Sequence, residues 1–310
     1  MIAVTGSSGH LGQWVIAALG AANHEVLAIA RRPVSKPTIA GVEWSSSVKV
    51  LSCDLAAPDA ATVLEPALRD AEAIVHLAAH IPSDTARNDP DDAERTLAAN
   101  VHGTLALLRA AERASRLSAF VYASTFEVYG TPLTVPVTES HPTRPVGYYG
   151  VTKLAGEKYA ALFATERGVP ASALRLPAIY GPGDLLRRAI GNFLFAAARG
   201  EPLRISGDGE DLRELVHAAD AAHAVLAAID RRGSGPFNVT SGAVSIRAMA
   251  ESVARAAGGA SIVWSDRVKA RQDWVLDSGR ARRELDWQPR VSLDAGIAQT
   301  LEWVRTQVAS

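Results

Sequence analysis

The stretch TGSSGHLG, residues 5–12, follows a short apolar run at residues 2–4 and opens a segment with helical character. Its glycines recur at every third position. Gly6 permits a tight turn, Gly9 lets backbone amides approach a pyrophosphate, and Gly12 lets the helix pack closely against the strand. The N-terminus of the helix adds unpaired N–H groups and a partial positive charge. This spacing indicates a dinucleotide-binding turn, with an ordinary glycine-rich turn as the alternative.

Beyond this turn, apolar segments of strand length alternate with alanine- and leucine-rich segments long enough for helices, such as residues 95–115 and 152–167. Continuous apolar strands that alternate with helices imply a parallel sheet covered on both faces. Right-handed crossovers make the doubly wound arrangement the expected one. The predicted strands are residues 2–4, 25–30, 49–53, 73–77, 119–123 and 171–176.

The pattern loosens after Leu176, where prolines and glycines interrupt regular structure. Residues 217–229 and 237–239 are predicted to return to the sheet as a helix and a strand. The sequence thus predicts an α/β fold, a doubly wound parallel (Rossmann) sheet with a small, mainly C-terminal substrate-binding cap. Trp264, Trp274 and Trp287 are expected in the core of the cap rather than as a stacking platform. The dinucleotide-binding domain is assigned residues 1–176 and 211–242, and the cap residues 177–210 and 243–310.

The composition limits the classes of function. The chain has 310 residues, with Lys+Arg 32 against Asp+Glu 33 and a formal net charge of -1. Without surplus positive charge, nucleic-acid binding is not expected. The single cysteine, Cys53, excludes an internal disulfide and cysteine-rich zinc frameworks, and no metal is expected. No apolar run reaches the ~18 residues that span a bilayer. The chain opens on a strand rather than a signal peptide, so we expect a cytoplasmic protein.

The end of the second predicted strand bears on which dinucleotide binds. An acidic side chain there would bind the adenosine ribose hydroxyls of NAD, but the sequence has Ala30, Arg31 and Arg32. Two guanidinium groups suit a 2′-phosphate through charge-assisted contacts. We therefore favour NADP over NAD, with two solvated arginines beside bound NAD as the alternative. Asp54, after the third strand, is a candidate for the adenine amino group or a turn residue.

A phenol and an ammonium, Tyr149 and Lys153, lie four residues apart and would share one face of a helix. A nearby ammonium lowers the pKa of a phenol, so that tyrosinate can accept a proton from a hydroxyl. The strand at residues 119–123 leads into Ser124 and Thr125, at the edge where open α/β sheets bind ligands. Glu127 is a base in the same cleft or a structural carboxylate.

The ordered set of motifs resembles the extended short-chain dehydrogenase/reductase superfamily, in its NAD-dependent epimerase/dehydratase branch. The match extends over nearly the whole chain, and no single motif would establish it. The motifs are TGSSGHLG at residues 5–12, HLAAH from His76, NVHGTLALLRAAERA from Asn100, STFEVYG from Ser124, YGVTK from Tyr149, RLPAIYGPG from Arg175, GDGEDLRELVHAAD at residues 207–220, FNVTSG from Phe237 and ARRELDWQP from Ala281.

The resemblance implies a catalytic triad of Thr125, Tyr149 and Lys153, with Ser124 nearer the nicotinamide. It also implies a homodimer formed through a helix pair. The cofactor-binding set that follows is Gly6, Ser8, Gly9, His10, Leu11, Gly12, Arg31, Arg32, Asp54, Leu55, Leu77, Ala78, Ala79, Ser124, Tyr149 and Lys153.

Members of this branch mostly act on nucleoside-diphosphate sugars. By resemblance, Arg213 would pair with the substrate diphosphate, although it could instead be a surface arginine paired with Glu210 or Asp211. Asn192 is a second candidate for the diphosphate. Ala178 lies where such enzymes usually have a substrate-binding asparagine, so one expected hydrogen bond is absent. The connection at residues 183–193 is shorter than usual, and Ala218 and Ala219 also depart from the pattern.

The implied reaction is sugar-nucleotide epimerisation or dehydration through a transient 4-keto intermediate formed by hydride transfer. Dehydratases that resemble this chain use a glutamate at Glu127, and many have an aspartate acid where this chain has Phe126. Many epimerases also keep the glutamate, so both reactions stay open. The alternative is an NADP(H)-dependent ketoreductase or alcohol dehydrogenase with net hydride transfer, which Arg31, Arg32 and Ala178 favour. The intact triad argues against a non-catalytic redox sensor.

Overall fold

The computed structural model of the chain describes most of its residues. They are residues 1–32, 34–45, 48–82, 88–185, 188–266, 271 and 273–308. Two residues of the connection at 183–193 therefore lie outside the described residues. Among the described residues, every helix is too short or too polar to cross a lipid bilayer.

Twelve strands form three sheets within these ranges. They are β1 (Ile2–Thr5), β2 (Val26–Ala30), β3 (Val48–Ser52), β4 (Ala73–His76), β5 (Ala119–Thr125), β6 (Ala171–Leu176), β7 (Ala178–Tyr180), β8 (Leu203–Ser206), β9 (Leu212–His217), β10 (Gly235–Asn238), β11 (Ala243–Ser245) and β12 (Ile262–Ser265).

Ten α-helices, counted over the same residues, cover the sheets. They are α1 (His10–Ala21), α2 (Ala60–Leu68), α3 (Pro90–Leu97), α4 (Gly103–Ala111), α5 (Tyr148–Arg167), α6 (Ala189–Ala198), α7 (Ala218–Asp230), α8 (Ile246–Ala256), α9 (Gly279–Leu285) and α10 (Leu293–Val308).

The large sheet has seven strands in the order β10–β6–β5–β4–β1–β2–β3, and every neighbouring pair is parallel. Alternate residues of each strand face opposite sides, so Val4 packs towards α1 and α7 while Ala3 packs towards α2, α4 and α5. The predicted doubly wound parallel sheet is confirmed.

The remaining strands build a smaller layer over one end of the large sheet. Strands β11, β9 and β7 form one small sheet, and β12 pairs with β8. Helices α6, α8 and α10 enclose a separate apolar core with these strands, which includes Phe193, Met249 and Trp303. Strand β7 and helix α6 directly follow β6, so the chain leaves the large sheet at its carboxyl edge.

The structure differs from the sequence prediction in two places. Within the predicted helix at residues 95–115, a π-helical turn (Ala98–His102) separates α3 from α4. None of the three tryptophans lies in the cap core: Trp264 is 48% exposed, and Trp274 packs against Phe126. Trp287 lies in the core of the large sheet, and its indole N–H donates to the carbonyl of Asp220. This bond and the apolar face of α9 hold the segment against α7. Both differences depend on tertiary contacts.

Candidate active site

The glycine-rich turn joins β1 to α1 with almost no space for side chains. Gly6 has φ +69°, and a Cβ there would lie 2.7 Å from the backbone nitrogen of Ala78. A Cβ on Gly12 would lie 2.2 Å from the carbonyl oxygen of Gly6. Gly9 caps the helix without a side chain and is exposed. The first N–H groups of α1 have no acceptor within the helix, which suits this site to an anion.

The other predicted cofactor residues follow neighbouring strands at the same edge. Arg31 and Arg32 are both exposed directly after β2. Asp54 is also exposed after β3, and its carboxylate accepts the N–H of Ala56 at 3.0 Å, as in a turn. Leu55 is buried. The remaining set, partly exposed around the glycine turn and after β4, is Ser8, His10, Leu11, Leu77, Ala78 and Ala79.

The predicted catalytic residues meet where β5 ends beside the start of α5. Thr125 is the last residue of β5, is buried, and accepts the N–H of Glu127 at 3.3 Å. Tyr149 lies in the first turn of α5, and Lys153 lies one turn further along. A Cβ on Gly150 would be 2.8 Å from the carbonyl oxygen of Glu127, so the helix packs directly on the segment after β5.

Lys153 is 2% exposed, and its ammonium lies 4.1 Å from the centre of the Tyr122 ring. Burial lowers its pKa to about 7, while the carboxylate of Glu157 acts in the opposite direction. Burial raises the pKa of the Tyr149 phenol, the charge of Glu127 raises it further, and the charge of Arg188 partly opposes the rise. The free protein therefore holds Tyr149 as a neutral phenol near neutral pH.

A buried ion pair lies behind Lys153. The carboxylate of Glu157, one turn after Lys153, accepts two bonds from the guanidinium of Arg175, at 3.0 and 2.8 Å. The hydroxyl of Ser124 donates to the same carboxylate at 2.5 Å. Arg175 also lies over the ring of Tyr129, 4.7 Å from its centre. This network joins α5 to β5 and β6 at the point where the predicted catalytic residues emerge.

The loop after β4 is held by hydrogen bonds from the π-helical turn. The carboxamide of Asn100, in the π-helical turn, accepts the backbone N–H of His80 at 2.7 Å and donates to its carbonyl at 3.1 Å. The same carboxamide donates to the hydroxyl of Thr152 on α5 at 3.2 Å. The loop, the π-helical turn and α5 are thereby held in register.

A cavity of ≈ 580 Å³ opens between the edge of the large sheet and the cap. Glu127 and Tyr149 reach it from the large sheet, and Ala178 on β7 and Arg213 on β9 reach it from the three-stranded sheet. The other lining residues are Ile81, Pro82, Asn88, Phe126, Gly130, Thr131, Val146, Arg188, Ala189, Ile190, Glu214, Leu215, Met249 and Trp274.

Of the predicted substrate residues Ala178, Asn192 and Arg213, the structure brings two to the cavity. Arg213 donates to the carbonyl of Leu212 at 2.9 Å, and its Nη2 lies 3.8 Å from the carboxylate of Asp211. Ala178 lies on β7 in the cavity wall. Asn192 is exposed on α6 and is not among the described residues that line the cavity.

Trp274, expected in the cap core, instead lines the cavity, and two other lining residues were missed from the sequence. The ring of Trp274 packs edge-on against Phe126 with centres 4.6 Å apart. Glu214 is buried in the wall, accepts the N–H of Leu276 at 2.7 Å, and is hydrogen-bonded to Thr240. Burial raises the pKa of its carboxyl to about 7. Arg188, which immediately precedes α6, is the other lining residue that was missed. Glu157, also missed, had a sequence signal, because it follows Lys153 at helical spacing.

The sequence profile of the NAD dependent epimerase/dehydratase family matches residues 2–240, more than half of the chain. The chain belongs to this family. A UDP-glucose 4-epimerase of Mycolicibacterium smegmatis is 31% identical over 98% of both chains. A dTDP-glucose 4,6-dehydratase of Streptomyces griseus is 33% identical over 74% of this chain and 70% of the relative. The resemblance inferred from the ordered motifs is confirmed.

Solved structures of the family extend over the whole fold. MoeE5 in complex with UDP-glucuronic acid and NAD has a TM-score of 0.83, 30% identity and 99% coverage of both chains. A UDP-glucuronic acid 4-epimerase from Bacillus cereus, with UDP-glucuronic acid and NAD, has a TM-score of 0.84, 25% identity and 99% coverage of both chains. These family members hold a nucleotide sugar together with NAD.

Proposed function

We propose that this chain is an NAD(P)-dependent 4-epimerase of nucleoside-diphosphate sugars. The observation that carries the proposal is the cavity itself. Tyr149 and Glu127 line it from the large sheet, and Arg213 lines it from the three-stranded sheet. A substrate with a reacting hydroxyl at one end and a diphosphate at the other fits this distribution of groups. The domain division drawn from the sequence is part of the proposal, with the substrate between sheet and cap.

The glycine turn fits a dinucleotide, since only hydrogen atoms at Gly6 and Gly12 leave space for the backbone around it. The exposed start of α1 would hold the pyrophosphate. Ser124, Tyr149 and Lys153 would lie beside the nicotinamide ribose. A nicotinamide held there would supply a hydride acceptor and donor for C4, and its positive charge would favour the phenolate of Tyr149.

Tyr149 would take the proton of the C4 hydroxyl and return it after the sugar has turned its other face. Lys153 would favour the phenolate through its charge, and Thr125 would hydrogen-bond the reacting oxygen. The catalytic roles of Thr125, Tyr149 and Lys153 rest on their common position at the β5–α5 junction. Glu127 supports the neutral phenol, because its negative charge raises the pKa of Tyr149.

The wall next to Glu127 favours epimerisation over dehydration. Eliminating water from the sugar requires an acid for the departing hydroxyl as well as a base. Phe126, the neighbour of Glu127, lines the cavity and packs against Trp274. This apolar pair leaves no acid at the position where many dehydratases have one. Dehydration with Glu127 as the base is the second candidate, because its carboxylate acts on Tyr149.

The dinucleotide is proposed to be NADP, with NAD as the alternative that the family structures hold. Arg31 and Arg32 are exposed at the end of β2 and provide two cations for a 2′-phosphate. Replacing both with alanine is expected to weaken NADP binding more than NAD binding. Titration calorimetry with each dinucleotide measures this, and equal losses would contradict a phosphate role.

A homodimer is proposed through α3 and α5, which lie side by side. Both helices expose apolar side chains: Leu97 on α3 is 45% exposed, and Val151 and Leu162 on α5 are 50% and 60% exposed. A second copy of the chain would cover them.

A cytoplasmic location also stays a prediction.

The test begins with the purified protein. After denaturation, the released dinucleotide is identified, and the native protein is incubated with UDP-glucose, UDP-glucuronic acid and dTDP-glucose. We expect a bound oxidised dinucleotide and a C4 epimer, without net change in absorbance at the NAD(P)H band. A protein that is purified without cofactor and consumes NADPH with ketones would instead be a reductase.

A further inference from the structure

A second arginine, Arg188, lines the cavity in addition to Arg213. Arg188 immediately precedes α6 and is half-buried in the cavity wall. Within the part of the chain that the structure describes, its guanidinium has no hydrogen bond or ion pair. A partly desolvated cation without a partner is unfavourable by itself, which points to an anionic group on the ligand.

The two arginines of the cavity face different neighbours. Arg213 contacts the carbonyl of Leu212 and the carboxylate of Asp211, and its charge acts on Asp273. Arg188 lines the same cavity as Tyr149, near enough for its charge to act on the phenol. An anion held by Arg188 would be close to the hydroxyl that Tyr149 deprotonates.

Sugar chemistry identifies an anion at this distance. In a hexose, C6 is attached to C5, and C5 is the neighbour of the reacting C4. A neutral hexose presents a hydroxymethyl group there, whereas a hexuronic acid presents a carboxylate. Guanidinium and carboxylate pair through two parallel N–H···O bonds. Ala178, also in this wall, has no polar side chain that would bind a neutral sugar.

We propose that the substrate is a nucleoside-diphosphate hexuronic acid and that Arg188 binds its carboxylate. The inference rests on the proposed function, because it assumes that the C4 hydroxyl lies at Tyr149. Arg188 is then the residue that selects a uronic acid over a neutral sugar. Its guanidinium balances the substrate carboxylate in a wall where Glu127 would otherwise repel it.

The test compares UDP-glucuronic acid, UDP-glucose and dTDP-glucose with the native protein and with the Arg188→Gln and Arg188→Lys variants. Loss of a charge-assisted hydrogen-bonded pair corresponds to about 10- to 100-fold in affinity. We expect Arg188→Gln to lose about that factor in kcat/KM and in Kd for UDP-glucuronic acid, with the neutral sugars changed by less than about threefold. For Arg188→Lys, kcat/KM and Kd for UDP-glucuronic acid should lie between those of the native protein and those of Arg188→Gln. Arg204→Gln, an exposed arginine on β8, is the matched control.

The possible outcomes separate the two proposals. Preference of the native protein for UDP-glucuronic acid, lost in Arg188→Gln, supports the inference, whether the product is an epimer or has lost CO2. Equal losses for charged and neutral sugars would mean that Arg188 acts on Tyr149 rather than on substrate, and would overturn it. Turnover of neutral sugars only would overturn the inference and leave the proposed function. No binding or turnover of any of the three would overturn both.

Discussion

Tyr149 and Lys153 lie one helical turn apart on α5, in surroundings that favour their neutral forms. The phenol is partly buried in the cavity wall near the charge of Glu127, and the ammonium is buried over the ring of Tyr122. Neither group would titrate this way on an exposed helix. Displaced pKa values of this kind are typical of groups that transfer or stabilise protons.

Replacing Tyr149 with phenylalanine tests the proton-transfer role. The ring still fills its place, but the hydroxyl that would exchange the C4 proton is absent, so turnover should fall by about 10²- to 10⁴-fold. Thermal unfolding and dinucleotide binding should be unchanged. Tyr148→Phe, the exposed neighbour on the same helix, is the control. Near-normal turnover in Tyr149→Phe would show that another group moves the proton.

The pKa of Lys153 predicts how stability changes with pH. In the unfolded chain the lysine pKa is 10.5, and in the folded protein it is about 7. Between these values the unfolded chain binds the additional proton, so this group makes stability rise with pH, by up to about 1.4 kcal/mol per pH unit. Below pH 7 its destabilising effect is complete.

The measurement is the midpoint of urea unfolding from pH 7 to 10 for the dinucleotide-free protein. Lys153→Met should remove the rise due to this group, whereas Lys158→Met, which alters an exposed lysine on the same helix, should keep it. If the native protein and Lys153→Met change in parallel, Lys153 is protonated in the folded state throughout this range.

At the scale of elements, the site depends on how α5 is attached to the large sheet. A Cβ on Gly156 would overlap the hydroxyl of Tyr122, so the helix lies in direct contact with β5. The next residue of α5, Glu157, forms an ion pair with Arg175 and so joins α5 to β6. The same carboxylate binds Ser124 at the end of β5. Three elements thus meet at one ion pair directly behind Lys153.

Breaking this pair from one side should be costly. Glu157→Leu leaves the Arg175 charge buried without its partner and should lower the free energy of unfolding by about 3–5 kcal/mol. The double variant Glu157→Leu with Arg175→Met should recover much of that loss, because no buried charge remains. Glu166→Leu, at an exposed position of α5, is the control. Equal stability of the single and double variants would refute the explanation by uncompensated charge.

At the scale of the whole molecule, the sequence was sufficient for the large sheet because its strands are continuous apolar runs. The glycine turn was equally clear, because Gly6 and Gly12 lie where backbone approaches backbone. The π-helical turn could not be predicted, since it depends on Asn100 binding a distant loop. Nor could the cavity wall, where Trp274 and Arg188 come from segments far from Tyr149 in sequence.

The proposed homodimer is tested by sedimentation equilibrium. We expect a mass of about twice 32.7 kDa, because α3 and α5 expose apolar side chains that a second copy would cover. Glutamate at both Val151 and Leu162 should shift the protein to a monomer. Leu133→Glu, at a residue 60% exposed outside these helices, should not. A native protein that is monomeric at every concentration would exclude the proposed interface.

In the proposed reaction, hydride leaves C4 of a nucleotide sugar and returns to the same carbon. Proton NMR of the native protein with UDP-glucuronic acid and UDP-glucose in D2O follows this hydrogen directly. We expect a C4 epimer that keeps its C4 proton, because that hydrogen moves as a hydride and does not exchange with solvent. Deuterium at a carbon next to C4 with loss of water would show a dehydratase, and deuterium at C4 itself would contradict hydride return.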